Sequence, residues 1–205
     1  MLRRLGVLAA ATVSLLAAAP AQAGCGSTVT ARPTHKLGDF TAPLMIGDSV
    51  LLGAVPQVAR DGFEINTRGC REWNEGTHIV FQRKRAGTLP HMVGMFLGAD
   101  WTVSIPQIRK VMAIMGPTRV LVLVTPRELG GKGGSDAQHM RHVAKQFPTR
   151  VLLLDWVKFT APHPKWFAPD GLHLGYGGAA ALARFLKRAV PYAAPGKFPG
   201  PSQTA

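Results

Sequence analysis

Acidic side chains are scarce in this 205-residue chain: 11 Asp and Glu stand against 24 Lys and Arg, for a formal charge of +13. A field of that sign attracts polyanions. Nucleic acid is not the expected one, because the basic residues are spread out apart from Arg83-Lys84-Arg85 and no nucleic-acid-binding module leaves its signature. Long apolar runs are equally few. Residues 5–19 form an uncharged run too short for a spanning helix, and no other stretch is able to cross a bilayer, so a soluble mature chain is expected. Metal ligands are sparse as well. His139 and His142 lie three apart on an expected helix, but no carboxylate or third ligand is near them, so an exposed pair is expected rather than a zinc site. No metal or cofactor is implied.

The run at the amino end has the anatomy of an export signal. Arg3 and Arg4 precede it, Pro20 and Gln22 close it, and Ala21-Gln22-Ala23 is a small-residue cleavage pattern. Residues 1–23 are therefore expected to be removed from a secreted or periplasmic protein. Loss of those two arginines leaves a charge of +11, and the expected polyanions become phosphate-bearing wall polymers, acidic glycans or anionic lipid headgroups. The two cysteines, Cys25 and Cys70, both fall in the exported part, where disulfides persist. A bridge between them would enclose roughly 45 residues, stabilise by about 4 kcal/mol in the chain-entropy picture, and brace Gly69. Gln22-Ala23-Gly24-Cys25 also resembles part of a bacterial lipobox, so lipidation of Cys25 is the competing expectation, and the one that would hold the chain at a membrane.

The length allows one domain with a sizeable core. The expected layout is a polar linker over 24–37, an α/β domain over 38–191 and a Pro/Gly-rich disordered tail over 192–205. Within the domain, strand-like and helix-like stretches alternate. An apolar run over 43–46 stops at Gly47 and a helix-compatible run, 50–60, follows; 63–67 reads as a second strand and 91–97 as a third. Between them a helical stretch brings Trp73, Gly76, Ile79 and Val80 to one face. Ser104-x-x-Gln107 is a capping box opening a helix that groups Ile108, Val111, Met112 and Met115, and Gly116-Pro117 ends it. Val120-Leu121-Val122-Leu123-Val124 does not alternate, which marks a strand buried on both faces of a parallel sheet. The Gly-rich loop 125–134 follows, then a second capping box, Ser135-x-x-Gln138, a fifth strand over 151–155 and a last helix over 177–190. Five strands separated by helices imply a three-layer α/β/α sandwich with a five-stranded parallel sheet in the order 2-1-3-4-5. The first strand then lies at the switch point, where ligands of such sheets bind.

The residues that carry chemistry sit at the two ends of this domain. Gly47-Asp48-Ser49 occupies the turn from first strand to first helix, where free N–H groups favour negative charge. Far along the chain, Asp170-Gly171-Leu172-His173 places an acid three residues before a histidine. Together they resemble the first and last blocks of the SGNH (GDSL-type) hydrolases, which carry the nucleophile in one and the acid and base in the other. Thr67-Arg68-Gly69 resembles the second block, whose glycine N–H helps form the oxyanion hole in that family. Leu97-Gly98-Ala99-Asp100 resembles the third, Gly-x-Asn, with Asp100 standing where the family has asparagine. The likeness covers roughly residues 37–191, and Leu154-Asp155-Trp156 with residues 166–174 is similar to the small extracytoplasmic SGNH domains of cell-wall O-acetyltransferases. It implies a flavodoxin-like strand order and a Ser49, His173, Asp170 triad. It also implies an oxyanion hole built from the N–H groups of Ser49 and Gly69 with a third group near Asp100, and Asp48 beside the nucleophile.

A serine hydroxyl needs a base to take its proton and a third group to hold that base in one tautomer, and these three residues meet the need. The expected activity is an esterase that removes acyl groups, acetyl above all, from a cell-envelope glycan or a small ester. Transfer of the acetyl to a wall polysaccharide is the alternative; it needs a donor from across the membrane, and the 205 residues hold no multi-span segment, which favours hydrolysis. A non-catalytic wall-binding protein on the same fold is a third reading, supported by Asp100, since a carboxylate accepts and does not donate unless protonated. At about 4 Å from an oxyanion and an effective dielectric near 20, that carboxylate would repel by roughly 4 kcal/mol, about a thousandfold in rate. Three arrangements avoid the penalty: Asp100 turned away, Asp100 protonated by burial, or Asp100 engaged by Arg127 from the neighbouring loop.

Overall fold

The computed structural model describes residues 25–200. Its sheet is assembled from short apolar strands: β2 (Leu44–Gly47), β4 (Met92–Phe96), β5 (Val120–Val124) and β6 (Val151–Leu154) are buried at every position, as strands covered on both faces must be. β3 (Glu64–Thr67) alternates between half-buried and buried residues. These five run parallel, in the order β3-β2-β4-β5-β6.

A sixth strand changes the expected all-parallel sheet into a mixed one. β1 (Val29–Ala31) lies antiparallel on the outer edge of β3, pairing Val29 with Thr67 and Ala31 with Ile65. It falls inside the stretch expected to be linker, where three residues are too few for a periodic pattern to register. The disulfide between Cys25 and Cys70, Cα atoms 5.0 Å apart, ties the chain just before β1 to the chain just after β3. The Cys25 sulfur is engaged in that bond, so the lipidation alternative is corrected, while the expected leader and the rest of the lipobox-like sequence lie outside the described residues.

Among the described residues, seven α-helices cover the two faces. α1 (Ser49–Leu52), α2 (Val55–Arg60), α6 (Trp156–Thr160) and α7 (Gly178–Leu186) supply Val50, Leu51, Val58, Trp156, Leu182 and Phe185 to one core. α3 (Trp73–Arg85), α4 (Ile105–Met115) and α5 (Ser135–Gln146) supply Trp73, Val80, Ile108, Val111, Met140 and Val143 to the other. Each such fully buried side chain stabilises by about 1.5–3 kcal/mol. Among the described residues no helix is long and apolar enough to cross a membrane.

Local signals differ in how they came out. The capping box of α4 forms: Ser104 Oγ accepts from Gln107 N at 3.4 Å, and Gln107 Oε1 accepts from Ser104 N at 2.8 Å. The one expected at Ser135 does not, because extended Gly134 takes the cap position and Ser135 is already the first helical residue. The helix expected over 50–60 breaks into α1 and α2 at Gly53 and Ala54. Part of the expected tail packs on the domain: Ala193 is buried, and Phe198 meets the His91 ring edge-on.

Candidate active site

The turn that carries Ser49 is forced by packing. A Cβ on Gly47 would lie 2.4 Å from that of Leu51, so only glycine lets β2 pass directly into α1. Asp48 then caps α1, its Oδ1 accepting from Val50 N at 3.0 Å, while Oδ2 accepts from Ala99 N at 3.3 Å. Thr67 Oγ1 donates to the Asp48 carbonyl at 2.7 Å. Burial pushes the Asp48 carboxyl up to about 7; the Val50 and Ala99 N–H groups oppose this, Asp100 adds to it, and His173 works against it.

Ser49 Oγ donates to His173 Nε2 across 3.0 Å, and His173 Nδ1 donates to Asp170 Oδ2 across 2.7 Å. With Nδ1–H facing the carboxylate, Nε2 is left as acceptor, the tautomer a general base requires. The other Asp170 oxygen accepts from Leu172 N at 2.9 Å and His173 N at 3.0 Å. Burial alone would raise the Asp170 carboxyl, but the His173 hydrogen bond and these two N–H groups together hold it below the usual carboxylate range. The three residues expected to work together from opposite ends of the chain are therefore in one hydrogen-bonded series.

Arg127 is not where it was expected to act. Its guanidinium is almost wholly buried, with Nε donating to Gly171 O at 2.9 Å, Nη1 donating to Thr160 Oγ1 at 2.8 Å, and Cζ lying 3.9 Å from the centre of the Phe167 ring. It braces the loop that carries Asp170 and His173 and forms no ion pair with Asp100. Gly130 N adds a bond to Asp170 O at 2.8 Å. Gly171 has φ +72°, and a Cβ there would meet Gly131 N at 2.8 Å, so this loop closes against its neighbour only with glycine.

The N–H groups of Ser49 and Gly69, expected to receive an oxyanion, have no protein acceptor among the described residues. α1 is one turn long, so it has no long helix dipole to add. Asp100 is exposed and has no hydrogen bond or ion pair among the described residues, which departs from both the buried and the Arg127-bound arrangements. Arg71 was missed in the sequence. Nearly buried, its Nη1 donates to Asn66 O at 2.6 Å and Gly47 O at 3.3 Å, joining the ends of β3 and β2; its place just after Cys70, whose φ is +52°, was the only hint. Of the two helix histidines, His139 Nδ1 donates to Val103 O at 2.8 Å and His142 is exposed, so they do not converge.

Ser49 at the end of β2 and Asp170 and His173 on a facing loop stand in hydrogen-bonded series, an arrangement able to carry out serine-dependent acyl transfer. No protein-family model matches the chain. In sequence it is similar to O-acetyltransferase OatA of Staphylococcus aureus, 28% identical over 155 residues, which cover 73% of this chain and 25% of that protein. In structure it is similar to the OatA C-terminal catalytic domain of Streptococcus pneumoniae, with TM-score 0.65 and 23% identity over 75% of this chain and 94% of that one. A lipase/acylhydrolase from Enterococcus faecalis shares the fold at TM-score 0.57 and 16% identity, over 73% of this chain and 95% of that one. The chain has the SGNH (GDSL-type) hydrolase fold. It spans about a quarter of the length of the curated relatives it matches.

Proposed function

We propose that this is an exported serine enzyme that opens acetyl esters on a cell-wall glycan, with Ser49 as nucleophile, His173 as base and Asp170 as its orienting acid. The observation that carries this reading is the pair of bonds at 3.0 and 2.7 Å linking Ser49 to His173 and His173 to Asp170. Ser49 Oγ attacks the ester carbonyl as its proton passes to His173 Nε2, and the resulting oxyanion is received by the N–H groups of Ser49 and Gly69. The carbon–oxygen bond to the sugar breaks, and His173 returns the proton to the departing sugar oxygen. Water then gives a proton to His173 and attacks the acyl-enzyme; collapse releases acetate and restores Ser49 with the proton from His173. Export is supported by the leader-like amino end and the Cys25–Cys70 bridge.

A second reading replaces the water by a glycan hydroxyl, which makes the enzyme an O-acetyltransferase. The sequence similarity to a protein named as one favours it. Incubation of the mature protein with p-nitrophenyl acetate, with and without peptidoglycan oligosaccharide, separates the two: acetate release alone is hydrolysis, and acetylated sugar is transfer. Covalent labelling of Ser49 by a phosphonate is expected in either case. Absence of both turnover and label would leave the wall-binding reading in their place.

A further inference from the structure

We infer that Trp101, Leu129 and Tyr176 form an apolar rim on which the sugar rings of a glycan lie while its acetyl ester reaches Ser49. This rests on the glycan-ester reading above and extends it from the reacting bond to the polymer that bears it. These are the most exposed large apolar side chains among the described residues, at 55%, 73% and 98% of full exposure. Single exposed apolar residues are ordinary, but three on the loops of one site are not.

Each lies within three residues along the chain of a group already placed at the site. Trp101 lies two residues beyond Ala99, whose N–H is bonded to Asp48. Leu129 precedes Gly130, whose N–H is bonded to the Asp170 carbonyl. Tyr176 follows His173 by three residues, ahead of α7. An acetyl group alone has no need of so much apolar surface. A pyranose ring does, because its C–H faces pack against flat apolar groups while its hydroxyls stay solvated or hydrogen-bonded, the combination that suits Trp and Tyr at wet interfaces. Exposed Asp100 and Glu128, two of only 11 acidic residues, adjoin Trp101 and Leu129. Carboxylates there accept hydrogen bonds from sugar hydroxyls and repel phosphate, which favours a phosphate-free glycan over a phosphate-bearing polymer or a lipid headgroup at this rim.

The test compares Trp101→Ala and Tyr176→Ala with the parent on two esters, O-acetylated peptidoglycan oligosaccharide and p-nitrophenyl acetate. Each variant is expected to lose about tenfold in kcat/KM on the oligosaccharide, mainly through KM, and to stay within about twofold on p-nitrophenyl acetate. Trp101→Phe should recover part of the loss. Unchanged turnover of the oligosaccharide, or equal loss on both esters, overturns the rim. So does a parental preference for p-nitrophenyl octanoate over the acetate that the variants lose, since the rim would then hold an acyl chain. Calorimetric titration of unacetylated oligosaccharide into Ser49→Ala, with and without Trp101→Ala, reads the rim without catalysis: about a tenfold weaker Kd is expected, and an equal Kd overturns it. If the parent turns over neither ester, the proposed activity is what fails, and this titration still decides the rim.

Discussion

The loop that carries Asp170 and His173 and the loop that carries Gly98, Ala99 and Asp100 both reach the Ser49 turn, yet they are held in opposite ways. The first is closed from several directions, by Arg127 on Gly171 O, Gly130 N on Asp170 O, and the Leu172 and His173 N–H groups on the Asp170 carboxylate. The second touches the turn through one bond of 3.3 Å from Ala99 N to Asp48 and leaves Asp100 in solvent. Under the proposed reading the first loop supplies what a base needs, one orientation and one tautomer, while the oxyanion donors, which must also be preorganised, are the N–H groups of Ser49 and Gly69 and not the solvated Asp100.

The largest expected effect breaks the braced side at its centre. Ser49→Ala and His173→Ala should each lower ester hydrolysis about 10⁴-fold or more with an unaltered thermal transition; near-parental turnover in both would sink the triad. Next in size is the covalent brace on the Gly69 side. Reduction of Cys25–Cys70 should lower stability by about 2–5 kcal/mol in denaturant titration, and a mature mass showing free thiols would reject the bridge. Arg127→Met removes the side-chain brace from the triad loop, so kcat should fall about 10- to 100-fold with KM little changed. A change in KM alone would mean that Arg127 touches the substrate instead.

Asp48 joins the two sides, and its effect is read in stability against pH. Its folded carboxyl keeps a proton up to about pH 7, whereas unfolded it releases one near 3.8. Between these values the folded state binds more protons, so this group's contribution to stability falls as pH rises and levels off above about 7. Asp170 runs the other way: depressed in the fold, it stabilises above its unfolded value, and that support is lost as pH falls through its folded one. Asp48→Asn should flatten the decline between about pH 4 and 7; an unchanged slope would assign it to another group. The smallest effect belongs to the loose loop. Asp100→Asn should leave p-nitrophenyl acetate turnover within about threefold of the parent or raise it, as expected of a solvated charge. A large loss with the fold intact would mean that the carboxylate holds the substrate.

The hydrogen-bonded Ser49, His173 and Asp170 were legible as a candidate triad because two short blocks carried them, Gly47-Asp48-Ser49 and Asp170-x-x-His173, and because acyl transfer restricts which residue types can act together. Buried strands were legible for a related reason: a run such as Val120–Val124 has no polar side to show. β1 and Arg71 were not. A three-residue edge strand has no period of its own and exists through its partner β3 and the nearby disulfide, and Arg71 is defined by the carbonyls of Gly47 and Asn66 that it joins. Arg127 shows the same boundary from the other side. Its position after β5 was visible in the sequence, but whether its five donors turned to Asp100 or to Gly171 and Thr160 depended on a cavity walled by Phe167 and α6. Residue order by itself determined the five parallel strands, the helix faces and the types of group that could react, since these follow from local pattern and intrinsic chemistry. Tertiary structure alone decided which donor met which acceptor, because a hydrogen bond forms only between groups that packing brings within about 3 Å.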